Sequence, residues 1–132
     1  MIGTRRGGIA LRINDGSEKE AKFSATPRYV EANGAPIDLE GHVSSDFVDI
    51  NADGLPDLVC VEHGGTISWY PNEGTASEPK FSNSISIAND LETGPVSYPR
   101  VSVADLNGDS KPDILVGGKA KETVGFWVFY QK

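Results

Sequence analysis

Asp49-Ile50-Asn51-Ala52-Asp53-Gly54-Leu55-Pro56-Asp57-Leu58 is the stretch that decides the fold, because the chain writes it twice. It returns as Asp105-Leu106-Asn107-Gly108-Asp109-Ser110-Lys111-Pro112-Asp113-Ile114, with the acids and the amide in the same places. Two further matches keep nearly the same period and the same order. Asn14-Asp15-Gly16-Ser17 with Lys22-Phe23 matches Asn72-Glu73-Gly74-Thr75 with Lys80-Phe81. Ala32-Asn33-Gly34 resembles Ala88-Asn89-Asp90 at the same offset as the acidic pair. Repetition at a fixed period of this length marks an architecture built from one supersecondary unit.

Working outward from the acidic stretches, each unit reads as strands. Residues 47–50 and 101–104 lead into the acidic loops. Leu58-Val59-Cys60-Val61 and Ile114-Leu115-Val116 leave them as short apolar, β-branched runs, as buried strands do. Residues 66–70 and 126–130 supply a third strand, and the alternating run from Lys80 to Ile87 a fourth. No stretch carries a convincing amphipathic helix of three turns. Residues 18–22 come nearest, but they align with 76–80, which holds Pro79, so a loop is expected there.

Four antiparallel strands recurring at a period of roughly 57 residues describe a propeller blade. The expected fold is therefore all-β, made of four-stranded antiparallel β-propeller blades. Residues 9–13 match the third strand and 22–30 the fourth. That divides the chain into a partial blade (1–40), a complete blade (41–97) and a second partial blade (98–132). A little over two blades is short of the roughly four to eight that close a ring. Closure would need more chain or several copies.

Composition narrows the function classes. The net charge of −7 argues against nucleic acid, which demands clustered Lys and Arg. Removing the six loop aspartates (49, 53, 57, 105, 109, 113) leaves −1, so the acidity is local. No run approaches the about 20 apolar residues of a membrane helix, and residues 1–8 do not read as a signal peptide. Cys60 is the lone cysteine, so no disulfide forms within the chain, and bound metal or association is the expected stabiliser.

The loops themselves are metal-binding candidates. Positions 1, 3, 5 and 9 are Asp49, Asn51, Asp53 and Asp57 in the first, and Asp105, Asn107, Asp109 and Asp113 in the second. The position-7 carbonyl, of Leu55 or Lys111, can join them. Hard oxygen donors without His or Cys suit Ca²⁺, which takes about six to eight oxygens, and suit Zn²⁺ poorly. Gly54 and Gly108 permit left-handed backbone, although the glycine moves from position 6 to position 4 between loops, a change expected to alter the turn. Without a cation the carboxylates repel, so strain is expected in the bare loop. An EF-hand would need an acid at position 12, where this chain has Cys60 and Val116 within apolar strands. The alternative is a pair of solvated Asx turns.

Asp-x-Asn-x-Asp-Gly-x-x-Asp-Leu between two apolar strands resembles the FG-GAP/VCBS repeat, the calcium-loop blade of integrin-α-type propellers and of related microbial lectins and exoproteins. Trp69-Tyr70-Pro71-Asn72-Glu73-Gly74-Thr75, continuing to Phe81, resembles the end of such a repeat. The Phe-Gly…Gly-Ala-Pro signature is absent and only Gly94-Pro95 is similar to it, which makes the VCBS variant the closer match. The resemblance implies that the eight side chains above are calcium ligands. It also implies an extracellular or cell-surface setting, where calcium is plentiful, and a carbohydrate or protein ligand.

The remaining residues point elsewhere than catalysis. Trp69 and Trp127 lie in corresponding third strands and read as packing residues before sugar platforms, with Tyr70 and Tyr130 beside them. Cys60, between Val59 and Val61, reads as a buried small hydrophobe. His63 reads as a turn residue before Gly64-Gly65, and His42 has no spaced partner. No nucleophile elbow or Ser–His pairing is recognisable. The expectation is a non-catalytic, calcium-binding module for binding, adhesion or assembly, as a homo-oligomer or part of a larger chain. The alternative is an accessory portion of a larger secreted polysaccharide-active enzyme whose catalytic residues lie elsewhere.

Overall fold

Strand pairing in the computed structural model, which describes residues 2–3, 7–88, 96–121 and 123–131, follows the repeat. The fold is all-β, and the described residues contain no helix. Accordingly none is long and apolar enough to cross a membrane. The central sheet comprises β6 (Ser44–Val48), β7 (Asp57–Val61), β8 (Ile67–Tyr70) and β9 (Ile85–Ala88), antiparallel and paired in chain order. The last sheet comprises β10 (Val96–Ala104), β11 (Asp113–Ala120) and β12 (Thr123–Phe129). The first comprises β1 (Ile2–Gly3), β2 (Ile9–Leu11) and β3 (Arg28–Tyr29). Between first and central sheets lies a short hairpin, β4 (Glu31–Ala32) to β5 (Ala35–Pro36). Its Asn33-Gly34 corner has φ of 50° and 75°, the mirror-image turn that Asn-Gly favours.

The register carries the repeat into space. Cys60 pairs with Ser68 in the central sheet, and one period earlier Ile2 pairs with Ala10 in the first, so β1 continues the second-strand position. The fourth strand is shorter than the alternation from Lys80 suggests. Phe81 only bridges to Asn72 and Ala32, and pairing with β8 begins at Ile85. The 18–22 stretch forms no helix, as expected. The Ala88-Asn89-Asp90 match and Gly94-Pro95 reach or lie beyond the described residues.

Alternation along β7 sends its side chains to two different cores. Leu58 and Cys60 join Ile9, Val30, Ile37, Val43, Tyr70 and Phe81, between the first and central sheets. Val59 and Val61 join Ile67, Val96, Ile114, Val116 and Ala120, between the central and last sheets. Each joint thus repeats the one before it. Covering both faces makes β7 buried along its whole length, which is why its sequence is an unbroken apolar run. Each such side chain contributes about 1.5–3 kcal/mol by leaving water.

The first strands of neighbouring sheets are also tied by polar groups. Ser44 Oγ accepts from the Val101 amide at 3.1 Å, and Asp46 Oδ2 accepts from the Val103 amide at 3.0 Å. These bonds join β6 to β10 across the seam.

Candidate metal centre

Each acidic stretch folds as the loop joining the first two strands of its sheet. The first loop closes on its own amides. Asp49 Oδ1 accepts from the Asp53 amide at 3.0 Å and Oδ2 from the Gly54 amide at 2.8 Å. Asn51 Oδ1 accepts from the Asp53 amide, and Asp53 Oδ1 from the Leu55 amide at 2.8 Å. Asn51 Nδ2 then donates to Asp53 Oδ2 at 2.7 Å. The repulsion expected between bare carboxylates is thereby balanced by a nest of inward-facing N–H groups.

The second loop makes the same set. Asp105 accepts from the Gly108 and Ser110 amides, Asn107 Oδ1 from Asp109, and Asp109 Oδ1 from Lys111. Asn107 Nδ2 donates to Asp109 Oδ2 at 3.2 Å. Ser110's amide, ahead of the other loop amides, holds the Asp105 carboxyl below its ordinary value. The shifted glycine does not alter the turn. Position 4 is left-handed in both loops (Ala52 61°, Gly108 82°), and so is position 6 (Gly54 87°, Ser110 67°). Each loop places a glycine at one of these positions and strains an ordinary residue at the other.

Position 9 behaves differently. Asp57 and Asp113 are fully buried at the starts of β7 and β11. Asp57 Oδ1 accepts from the Asn72 amide at 2.8 Å, and Asp113 Oδ1 from the Gln131 amide at 3.1 Å. Asp113 Oδ2 reaches back into its loop and accepts from the Leu106 amide at 3.0 Å. Asp57 Oδ2 has no hydrogen-bond partner among the described residues. An acceptor buried without a partner costs about 1–3 kcal/mol, more when charged.

Two residues that the sequence reading did not single out as site residues hold the loops in place. Asn72, buried, donates its amide to Asp57 and its Nδ2 to Pro56 O, while its Oδ1 accepts from Gly74 and Lys80. Gln131 fixes Asp113 through its amide and reaches Ile50 O through Nε2 at 3.4 Å, linking the second loop to the first. Asn14, which accepts from Gly16 and Lys22 as Asn72 does from Gly74 and Lys80, was the available signal for Asn72.

The family model of the FG-GAP-like repeat matches residues 49–116, from the first acid of the first loop to the strand after the second. The chain belongs to the FG-GAP-like repeat family. No curated protein and no solved structure matches it. Among the described residues of this FG-GAP-like chain, no three His, Cys, Asp or Glu side chains gather as a ready-made metal site. Asp49, Asp53 and Asn51 are turned onto amides instead. The donor set still fits a hard cation. Each carboxylate offers about four lone-pair sites, of which these bonds use only some, and Asp57 holds one oxygen with no other use. Asp49, Asn51, Asp53 and Asp57 would hold the ion, with the Leu55 carbonyl, and their counterparts through Asp113 with Lys111 in the second loop.

Other expected roles fall as follows. Cys60 is a free, buried thiol whose proton is held more tightly than usual by burial first and by the Glu62 carboxylate second. Trp69 and Trp127 are both half-buried at the central–last joint but are not register equivalents. Trp69 pairs with Val59, and Trp127 with Val116, which puts them on facing sheets. His42 packs on Tyr98 (ring centroids 4.8 Å) and near His63 (6.4 Å), at the opposite end of the central sheet from its acidic loop.

Proposed function

We propose that this chain is a non-catalytic, calcium-rigidified blade module serving binding, adhesion or assembly outside the cell, with carbohydrate or protein as its ligand. The observation that carries the calcium reading is the buried Asp57 oxygen without a partner, at the one loop position that all-oxygen coordination would need filled from the strand. Bound calcium would supply charge balance and cross-linking, and the chain's own residues would do the rest. Asn72 and Gln131 hold the position-9 acids, and the Asx turns hold positions 1, 3 and 5. Nothing in such a site activates a substrate, and Ca²⁺ is a weak activator of water beside Zn²⁺. The role is therefore to stiffen the loop between the first two strands, so that the joints between sheets keep their register.

Thermal unfolding in calcium against unfolding in chelator tests this reading. At a hundredfold excess over the dissociation constant, an ion bound only by the folded chain stabilises it by about 2.7 kcal/mol, or on the order of 10 °C in this size range. Asp57→Asn should remove much of that gain, and magnesium should give less of it. Coincident melts in calcium and chelator would overturn the reading.

A further inference from the structure

The two ends of this chain carry complementary halves of the joint that it forms twice internally. In the last sheet, Ile114, Val116, Trp127 and Phe129 face the central sheet. The opposite face leaves Phe126 74% and Val128 40% exposed. Register identifies that face. Phe126 pairs with Gly117, and its ring lies over that glycine, while Val128 pairs with Leu115. In the central sheet Ile67 pairs with Val61 and Trp69 with Val59, so Phe126 and Val128 stand where Ile67 and Trp69 stand. There, the next sheet covers that face.

At the other end, residues 14–24 reproduce 72–82 bond for bond. Asp15 donates to Lys22 O and Ser24 to Ile13 O, as Glu73 does to Lys80 O and Ser82 to Pro71 O. Ser17 Oγ accepts from Glu20 as Thr75 Oγ1 does from Glu78. Phe23 thus occupies the place of Phe81. Phe81 is 5% exposed, because it packs into the joint with Ile9 and Leu11 of the preceding sheet, beside Phe47. Phe23 is 62% exposed. Ile9 and Leu11 are the first sheet's counterparts of Ile67 and Trp69, hence of Phe126 and Val128.

We propose that a second copy of this chain docks head to tail, its Phe23 loop and β2–β3 sheet covering the Phe126–Val128 face of the first. The occupant is a second copy because both matching halves lie within the same 132 residues, and the covered joint between first and central sheets is the pattern for their fit. The contact is heterologous, joining two different surfaces, so it propagates to a ring or a filament. It is independent of whether the acidic loops hold calcium.

Light-scattering mass of the full chain across a concentration series, in chelator and in calcium, tests it with two surface variants. Wild type should associate beyond a single chain. Phe126→Asp and Phe23→Asp should each weaken association at least tenfold. Both positions are exposed, so an unchanged melting temperature at low concentration confirms that folding is intact. Mixing the two variants should restore a species of two chains and no larger, because one intact joint remains per pair. A wild type that stays a single chain, an effect of Phe126→Asp without one of Phe23→Asp, or a mixture that fails to pair would each overturn the proposal.

Discussion

Ala52 shows how much a single backbone angle can contribute. At φ 61° it sits in the left-handed region, which costs an L-residue with a Cβ about 1–2 kcal/mol. Its counterpart in the second loop is Gly108. Ala52→Gly should therefore stabilise the folded chain, by about 0.5–1 kcal/mol once the greater freedom of glycine in the unfolded chain is subtracted. Chemical denaturation of the two proteins measures the difference, and a destabilised variant would contradict it. Cys60 gives a second expectation at this scale. Its thiol is raised above its ordinary 9.0 by burial, so its contribution to stability is intact below that pH. The contribution is lost as the pH climbs from there toward the higher folded value. Denaturation midpoints between pH 8 and pH 10.5 should fall more steeply for wild type than for Cys60→Ala, by at most about 1.4 kcal/mol per pH unit. Equal slopes would contradict the burial argument. The same thiol should resist alkylation at pH 8 until the chain is unfolded.

Among the elements, the β6–β10 seam has the clearest consequence. Asp46 accepts from the Val103 amide of the next sheet as well as from its neighbour Phe47. Hydrogen bonds to charged groups contribute about 1.5–3 kcal/mol. Asp46→Ala should cost roughly that much, and amide exchange at Val103 should accelerate more than at Val59, which lies within β7. Uniform acceleration would mean that the bond does not hold the seam. This tie was not legible in the sequence, because Ser44 and Asp46 meet their donors far along the chain and only the packing of two sheets brings them together. The acidic loops were legible for the opposite reason. Their bonds link near neighbours in the chain, so the spacing of Asp, Asn and Asp already encodes the turn. The paired left-handed positions were half visible. A glycine marks one of them in each loop, while Ala52 and Ser110 give no such sign. Register was the other gap. Aligning Trp69 with Trp127 by eye places them in equivalent strands, but the longer β11–β12 hairpin shifts the pairing and puts them on facing sheets.

For the whole molecule, the repeat means that every sheet face is made to be covered by a neighbour. The central sheet achieves this on both faces, and its β7 is accordingly the most buried strand. Leu58→Ala should cost about 2–5 kcal/mol by leaving a cavity in the first joint, a large fraction of the roughly 5–15 kcal/mol typical of a domain. The propeller architecture follows from this covering rule together with the tie at the first strands, and family membership agrees with it. The calcium proposal extends the same logic to the loops, where charge rather than apolar surface awaits a partner. Calorimetric titration of calcium into the chelator-stripped chain tests it most directly. The account predicts two sites per chain, the tighter one lost in Asp57→Asn and the other in Asp113→Asn. A titration without binding heat at any temperature, or binding untouched by either substitution, would contradict it.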